Sequence, residues 1–232
     1  MRGKTVAVVL VMVISCAAEA HCDYIVASNL STTEVFTYAW EEVGLIAPAY
    51  NNYNNVSKGQ TFIPTASGTL TEIDALVVYG KPPSAEDFPP LQVTVATSLA
   101  GIPVTSLATI TLPKDRFTYG LTSTEARHTF DFTDFRIRLD AGAQYMVLFE
   151  TPFGVVGENG AHSAYYAGWP SQRKLGLTAS QARDGQNWER FSNGRLPDTR
   201  ELAIEVKAVP EPATLGLILI AVLLSRYCFK GR

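Results

Sequence analysis

The chain has 232 residues, is 47% hydrophobic and 18% charged, and carries a formal net charge of −3. That acidic balance excludes a basic groove for nucleic acid, which needs clustered Lys and Arg. With three cysteines, two of them in the terminal segments described below, it also excludes an intramolecular disulfide framework.

The first element predicted is an export signal. Arg2 and Lys4 precede an apolar run from Thr5 to Ile14, and Ala18-Glu19-Ala20 places small side chains where a signal peptidase needs them. These features predict a secretory signal peptide over residues 1–20, too short to span a bilayer and remain there. Signal peptidase is the partner this implies. Val13-Ile14-Ser15-Cys16 also resembles a bacterial lipobox, which would make a lipidated Cys16 the mature N-terminus instead. Cys22 is then the single cysteine of the body. Residues 1–20 and 211–232 carry five basic and two acidic side chains, so without them the net charge falls to about −6. That value suits a soluble protein outside the cell.

Residues 21–207 read as one all-β domain. Thr, Val, Tyr and Phe alternate with polar residues, Gly and Pro punctuate the runs, and no amphipathic helix is evident. Gly59 to Pro64 is a predicted strand, followed by a turn at Ala66-Ser67-Gly68. Thr69 to Tyr79 alternates through Leu70, Ile73, Ala75, Val77 and Tyr79, with a change of phase near Glu72 that predicts a bulge. Lys81 to Pro90 holds four prolines and reads as a loop. Leu91 to Thr97 puts Leu91, Val93 and Val95 on one face. Ala100 to Pro103 is a predicted turn, and Leu107 to Leu112 a strand. Phe130 and Phe132 share a face, and Ile137 and Leu139 carry the pattern on to a turn at Asp140 to Ala143. Gln144 to Glu150 is apolar on both faces, as a central strand is. Leu202 to Val206 closes the set. Strands at this spacing predict an antiparallel two-sheet sandwich.

Catalytic and metal-binding patterns are missing. There is no G-x-S-x-G, H-E-x-x-H, P-loop or C-x-x-C. The histidines are His21, near the mature terminus, His128, read as a loop entering a strand, and His162, in a Gly-rich loop. Two isolated imidazoles make neither a triad nor a zinc site. The chain is therefore expected not to be an enzyme and to need no cofactor. Structural calcium is the one addition considered, with Asp184 and Asn187 as oxygen donors and Asp198, Glu201, Asp131 and Asp134 as further carboxylates. The stretch from Gly157 to Trp188 is the candidate ligand site. Tyr165, Tyr166, Trp169 and Trp188 lie among amides and charged groups, the combination on which sugar rings stack and hydrogen-bond. The same aromatics can instead pin long loops onto a sandwich as packing residues.

The last segment predicted, residues 208–232, opens with Val209-Pro210-Glu211-Pro212. An uncharged run from Ala213 to Ser225 follows, then a basic tip of Arg226, Lys230 and Arg232. The run predicts a single transmembrane helix over 213–225, about 20 Å long against a hydrocarbon core of about 30 Å. The basic tip would face the cytoplasm. Motif, apolar run and basic end together resemble the PEP-CTERM sorting signal of Gram-negative bacteria, although here the basic residues are spread out rather than clustered. The resemblance implies a transient inner-membrane anchor and a membrane-embedded cysteine protease, exosortase, that recognises Val209 to Pro212. It implies final placement at the cell surface or in the extracellular matrix, commonly alongside exopolysaccharide and biofilm. The runs GQTFIPTASGTLTEIDALV, LQVTVAT and FDFTDFRIRLDAGAQYMVLF resemble the jelly-roll domains, often called choice-of-anchor domains, of such surface proteins. This second likeness implies a fold and no activity. The expected function is a secreted, non-enzymatic surface or matrix protein. The alternatives are a carbohydrate-binding module that uses the loop aromatics and a plain membrane-anchored surface protein.

Overall fold

The computed structural model describes residues 23–30, 40–46, 54–79, 90–117, 126–151, 164–168, 179–183, 186–190 and 201–210. The predicted signal peptide and the predicted membrane helix lie outside them. The described residues form thirteen strands, two 3-10 turns and no α-helix. The first six strands are β1 (Tyr24–Ser28), β2 (Trp40–Ile46), β3 (Asn54–Phe62), β4 (Gly68–Tyr79), β5 (Leu91–Leu99) and β6 (Ile102–Leu112). Next come β7 (Arg127–Asp131), β8 (Arg138–Leu139), β9 (Tyr145–Glu150) and β10 (Ala164–Gly168). The last are β11 (Ala179–Arg183), β12 (Gln186–Arg190) and β13 (Ile204–Pro210).

All pairings are antiparallel and fall into two sheets, as a sandwich requires. One sheet runs β1-β13-β4, with β7 and β8 on the far side of β4. The other runs β10-β2-β3-β9-β5-β6, and β11 and β12 extend it from β3. The twelve-residue β4 serves both, because its last residues, Val77 to Tyr79, pair with β10. A long strand that leaves one sheet for the other is a usual way to turn the corner of a sandwich.

The core lies between the sheets, and alternation explains its membership. Leu91, Val93 and Val95 of β5 stand beside Tyr145, Val147 and Phe149 of neighbouring β9, and Ile204, Val206 and Ala208 of β13 in the other sheet join the same core. The change of phase in β4 is a bulge at Thr71. Glu72 pairs with Lys207 while Leu70 pairs with Ala208, so Thr71 is the extra residue. In a regular strand Leu70 and Ile73, three residues apart, would point to opposite faces; across the bulge both are fully buried in one core. The Thr71 carbonyl accepts the Phe132 N–H at 2.7 Å.

The strand β9 is buried on both faces, as its sequence predicts. Its outer residues Met146 and Leu148 form a second cluster with Ala96, against which Trp188 of β12 packs. At the edge of this sheet among the described strands, β6 contains no charged residue. It defends itself with geometry instead. Val104 and Leu107 are extra residues against β5, and these two bulges interrupt the regular ladder that another strand would need. The tip of this hairpin turns through Ala100 (φ 54°) and Gly101 (φ 80°), the left-handed pair that a two-residue hairpin loop demands.

Several boundaries differ from the sequence reading. The strands β3 and β6 each begin five residues earlier than expected. His128 stands inside β7 rather than in a loop before it. The last strand runs to Pro210, not to Val206, so Val209 and Pro210 are part of the sheet. The stretch read as an aromatic-rich loop contributes β10, β11 and β12.

Candidate functional site

The processing signal begins on β13. This strand is paired on both sides: Ile204 through Pro210 run against β4 from Ala75 to Gly68, and Tyr24 through Ser28 of β1 lie opposite Ala208 through Glu205. Alternation sends Ile204, Val206 and Ala208 into the core and Glu205 and Lys207 to the outer face. Pro210, the last described residue of the strand, has no backbone N–H to donate. Glu211 and Pro212 lie outside the described residues, as do Arg226, Lys230 and Arg232.

Close approach fixes the end of β13. A Cβ on Gly68 would sit 2.5 Å from the Val209 carbonyl oxygen and 3.0 Å from the Tyr24 hydroxyl. That hydroxyl donates to the Ser67 carbonyl at 2.6 Å. Gly68→Ala is therefore expected to cost about 2 kcal/mol by forcing β4 and β13 apart. Urea unfolding checks this, and an unchanged midpoint would mean the strand end has room to give.

A charged network covers the outer face of the same sheet. Asp74 accepts from Arg127 Nη2 at 2.6 Å, from Arg127 Nε at 3.2 Å and from Thr129 Oγ1 at 2.6 Å. Lys207 Nζ lies 2.9 Å from Glu72 and 3.2 Å from Asp74. Arg127 Nη2 also donates to Glu205 at 2.9 Å, and Ser28 Oγ donates to the other oxygen of Glu205 at 3.2 Å. Burial pushes the Asp74 carboxyl up, but hydrogen bonds from Thr129, Arg127 and Lys207 outweigh it and hold the group below its usual range. These carboxylates are engaged by cations and hydroxyls. They tie β13 to β1, β4 and β7 rather than offering a base to a substrate.

A buried amide network does similar work between the sheets. Asn29 Nδ2 donates to Glu201 Oε2 and to the Leu202 carbonyl, both at 2.9 Å, and its Oδ1 accepts the Ile204 N–H at 2.8 Å. From β3, Gln60 Oε1 accepts the Leu202 N–H at 2.6 Å. Glu201, one of the calcium carboxylates considered above, is thus buried and bound to Asn29. Asp131 caps a turn by accepting the Thr133 N–H at 2.9 Å. Asp184, Asp198 and the Asn187 side chain lie outside the described residues. No cluster of three metal-ligating side chains occurs among the described residues.

Of the four aromatics expected to form a sugar platform, the side chains of Tyr165 and Trp188 are described. Tyr165 is 0% exposed and stands in the main core, edge-on to Phe117 at 5.2 Å between ring centroids. Its ring presents no face to solvent in this structure. Trp188 is half-buried and packs on Ala96, Met146 and Leu148, the packing role that the sequence left open. Tyr166 lies on β10 but its side chain, like Trp169, is outside the described residues.

Of the three histidines, His21 and His162 are outside the described residues and His128 packs edge-on to Phe117 at 4.8 Å. Burial, a bond to the Val77 carbonyl and the charge of Arg116 act on its imidazole, and the net effect lowers its pKa below 6.5. Its Nε2 is buried with no partner among the described residues. A depressed imidazole contributes stability that is complete above the unfolded pKa. It is lost as pH falls from about 6.5 through the folded value. Urea midpoints are expected to fall more steeply from pH 7.5 to 5 for the native chain than for His128→Gln. Parallel curves would show that the ring charges freely in the fold. Glu150 runs the other way, since burial raises its carboxyl despite a bond from Ser57, and it contributes equally to both curves.

The sequence reading missed Asp74, Arg127, Asn29 and Gln60. The signal that could have found Asp74 is its place between the core residues Ile73 and Ala75 of β4; the structure pairs it with Glu205, and Glu72 with Lys207. Asn29 and Gln60 carry no such mark. No protein-family model matches the chain, and no curated protein matches it.

Proposed function

We propose that this chain is a secreted, non-enzymatic protein of the cell surface or extracellular matrix, sorted through its C-terminal tail. The observation that carries the reading is the order Val209-Pro210-Glu211-Pro212, an uncharged run from Ala213 to Ser225, and the basic residues Arg226, Lys230 and Arg232. Paired with an export signal at the other end, this is a chain that crosses a membrane, is held by its last residues and is then released by a cut. A membrane-embedded protease of the exosortase type is the processing partner. The body is a jelly-roll sandwich of the kind that surface proteins carry, and it needs no cofactor.

The sandwich-like fold supports this reading without specifying a ligand. Cohesion comes from a two-sheet core and from buried polar networks, which suits a protein with no intramolecular disulfide. The buried Tyr165 ring gives no support to the sugar-binding alternative, and the surface or matrix role is the reading preferred here.

The test is where the protein goes and what remains of it. Expression in a host with the processing protease is expected to give protein outside the cells that lacks the C-terminal apolar run. Deleting the protease gene should leave the chain full-length in the membrane fraction. Release that is independent of the protease would sink the proposal.

A further inference from the structure

Resting on the sorting reading, we infer that one end of the sandwich is a membrane-facing surface, whose apolar loop tips rest in the lipid headgroup layer while the chain is held by its tail. Three loops meet at this end. Gln144 Oε1 accepts the Ser98 hydroxyl and the Gly101 N–H, both at 3.2 Å, which ties the β5–β6 hairpin tip to the β8–β9 loop. That loop is tied in turn to residues 63–67 between β3 and β4. The Gly142 N–H reaches the Pro64 carbonyl at 3.0 Å, and the Ala141 N–H reaches Ser67 Oγ at 2.8 Å. Gly68, the next residue, is paired with Pro210, and Tyr24 at the start of β1 donates to the Ser67 carbonyl at 2.6 Å. The first described strand thus begins, and the last one ends, beside these loops.

Composition and reach make a bilayer the partner. Residues 62–68, 98–106 and 141–144 contain no charged side chain. Leu99 is 73% exposed, Val104 63%, Ile102 46% and Ile63 39%. These are four of the seven exposed large apolar side chains among the described residues, so they are gathered at one end rather than scattered. At its other end β6 runs into Lys114, Asp115 and Arg116 instead. The apolar run starts at Ala213, three residues after Pro210, and three residues of chain reach at most about 11 Å whatever their conformation. With that run in the hydrocarbon, Pro210 stands at headgroup depth or just above it, and the loops beside it stand there too. Apolar side chains gain by leaving water in that layer. The tether makes the contact intramolecular, so a patch too small to hold a free protein suffices. Loss of the tail removes that advantage, and the body then leaves the membrane.

Full-length protein reconstituted into vesicles of phosphatidylethanolamine and phosphatidylglycerol tests the inference. With the native cysteines replaced by serine, a polarity-sensitive fluorophore is attached through Leu99→Cys or, as a control, through Asp115→Cys, about 30 Å away along β6. Emission from the first position is expected to shift to the blue and to be quenched by brominated acyl chains, while the control does neither. Adding Ile102→Asp to the Leu99→Cys chain is expected to reverse much of the quenching. Quenching that survives this charge in full means that the tether alone holds the tip near lipid, and the apolar contact is refuted. A blue shift without quenching means that a second copy of the chain covers the tip, which also overturns the inference. So does water-like emission at the first position, or equal quenching at both, in a chain whose tail the vesicles protect from added protease. All of these leave the sorting reading standing. A full-length chain that fails to enter the vesicles overturns the sorting reading, and the inference with it.

Discussion

Tyr165→Ala is expected to lower stability by about 4 kcal/mol, which for a chain of this size is a fall in Tm of about 8–16 °C. The residue is fully buried in the main core, edge-on to Phe117, which in turn meets His128 and Phe130. Truncation removes a large ring from between the sheets, and the rigid strands around it collapse only partly into the space. The functional consequence is specific. Any loss of glycan retention in this variant would report unfolding rather than a missing contact. Thermal unfolding beside a retention assay separates the two. A variant that kept its Tm and lost glycan would place the ring at a ligand surface after all.

Asn29→Ala is expected to cost about 3 kcal/mol, because it orphans buried groups rather than exposing them to water. The Ile204 N–H loses its acceptor, and the Leu202 carbonyl and the Glu201 carboxylate each lose a donor. The backbone bond from the Asn29 N–H to the Ile204 carbonyl, at 3.1 Å, survives the substitution and is the reason the loss is not larger. Asn29→Asp is expected to be at least as damaging, since it sets a second carboxylate against buried Glu201. Urea unfolding checks both. A native-like midpoint for Asn29→Ala would show that water replaces the amide, and the network would then have no part in locking β13.

The last strand also links stability to acidity. The Asp74 carboxyl is held below its usual range, so its contribution is complete above its unfolded pKa of about 3.8 and is lost as pH falls below that value. Acid should therefore loosen β13 from β4 and β7 after His128 has already taken its toll at milder pH.

Much of the core could be read from the alternation of side chains. Leu91, Val93 and Val95, and the two apolar faces of β9, needed no structure, because in a strand neighbours in sequence point to opposite sides. The bulge near Glu72 was legible as a break in that alternation. The region from Gly157 to Trp188 was not. Its strands are short and mix Ala, Ser, Gln and Arg, so no face declares itself, and local pattern cannot say which tyrosine a distant sheet will cover. The difference between Tyr165 and Trp188 follows from what packs above them: Phe117 in one case, and Ala96, Met146 and Leu148 in the other.

By itself, then, the amino-acid sequence determined the all-β class, the strand faces of the central body, and the terminal order of Pro-Glu-Pro, apolar run and basic tip, because each of these is a property of residues close together in the chain. Only the tertiary structure decided that Val209 and Pro210 belong to the sheet, that the first described strand pairs with the last, and that Asp74, Arg127, Glu205 and Lys207 form one network. Those contacts join residues more than fifty positions apart in most cases. They arise from how two sheets close over a shared core, which no local pattern encodes.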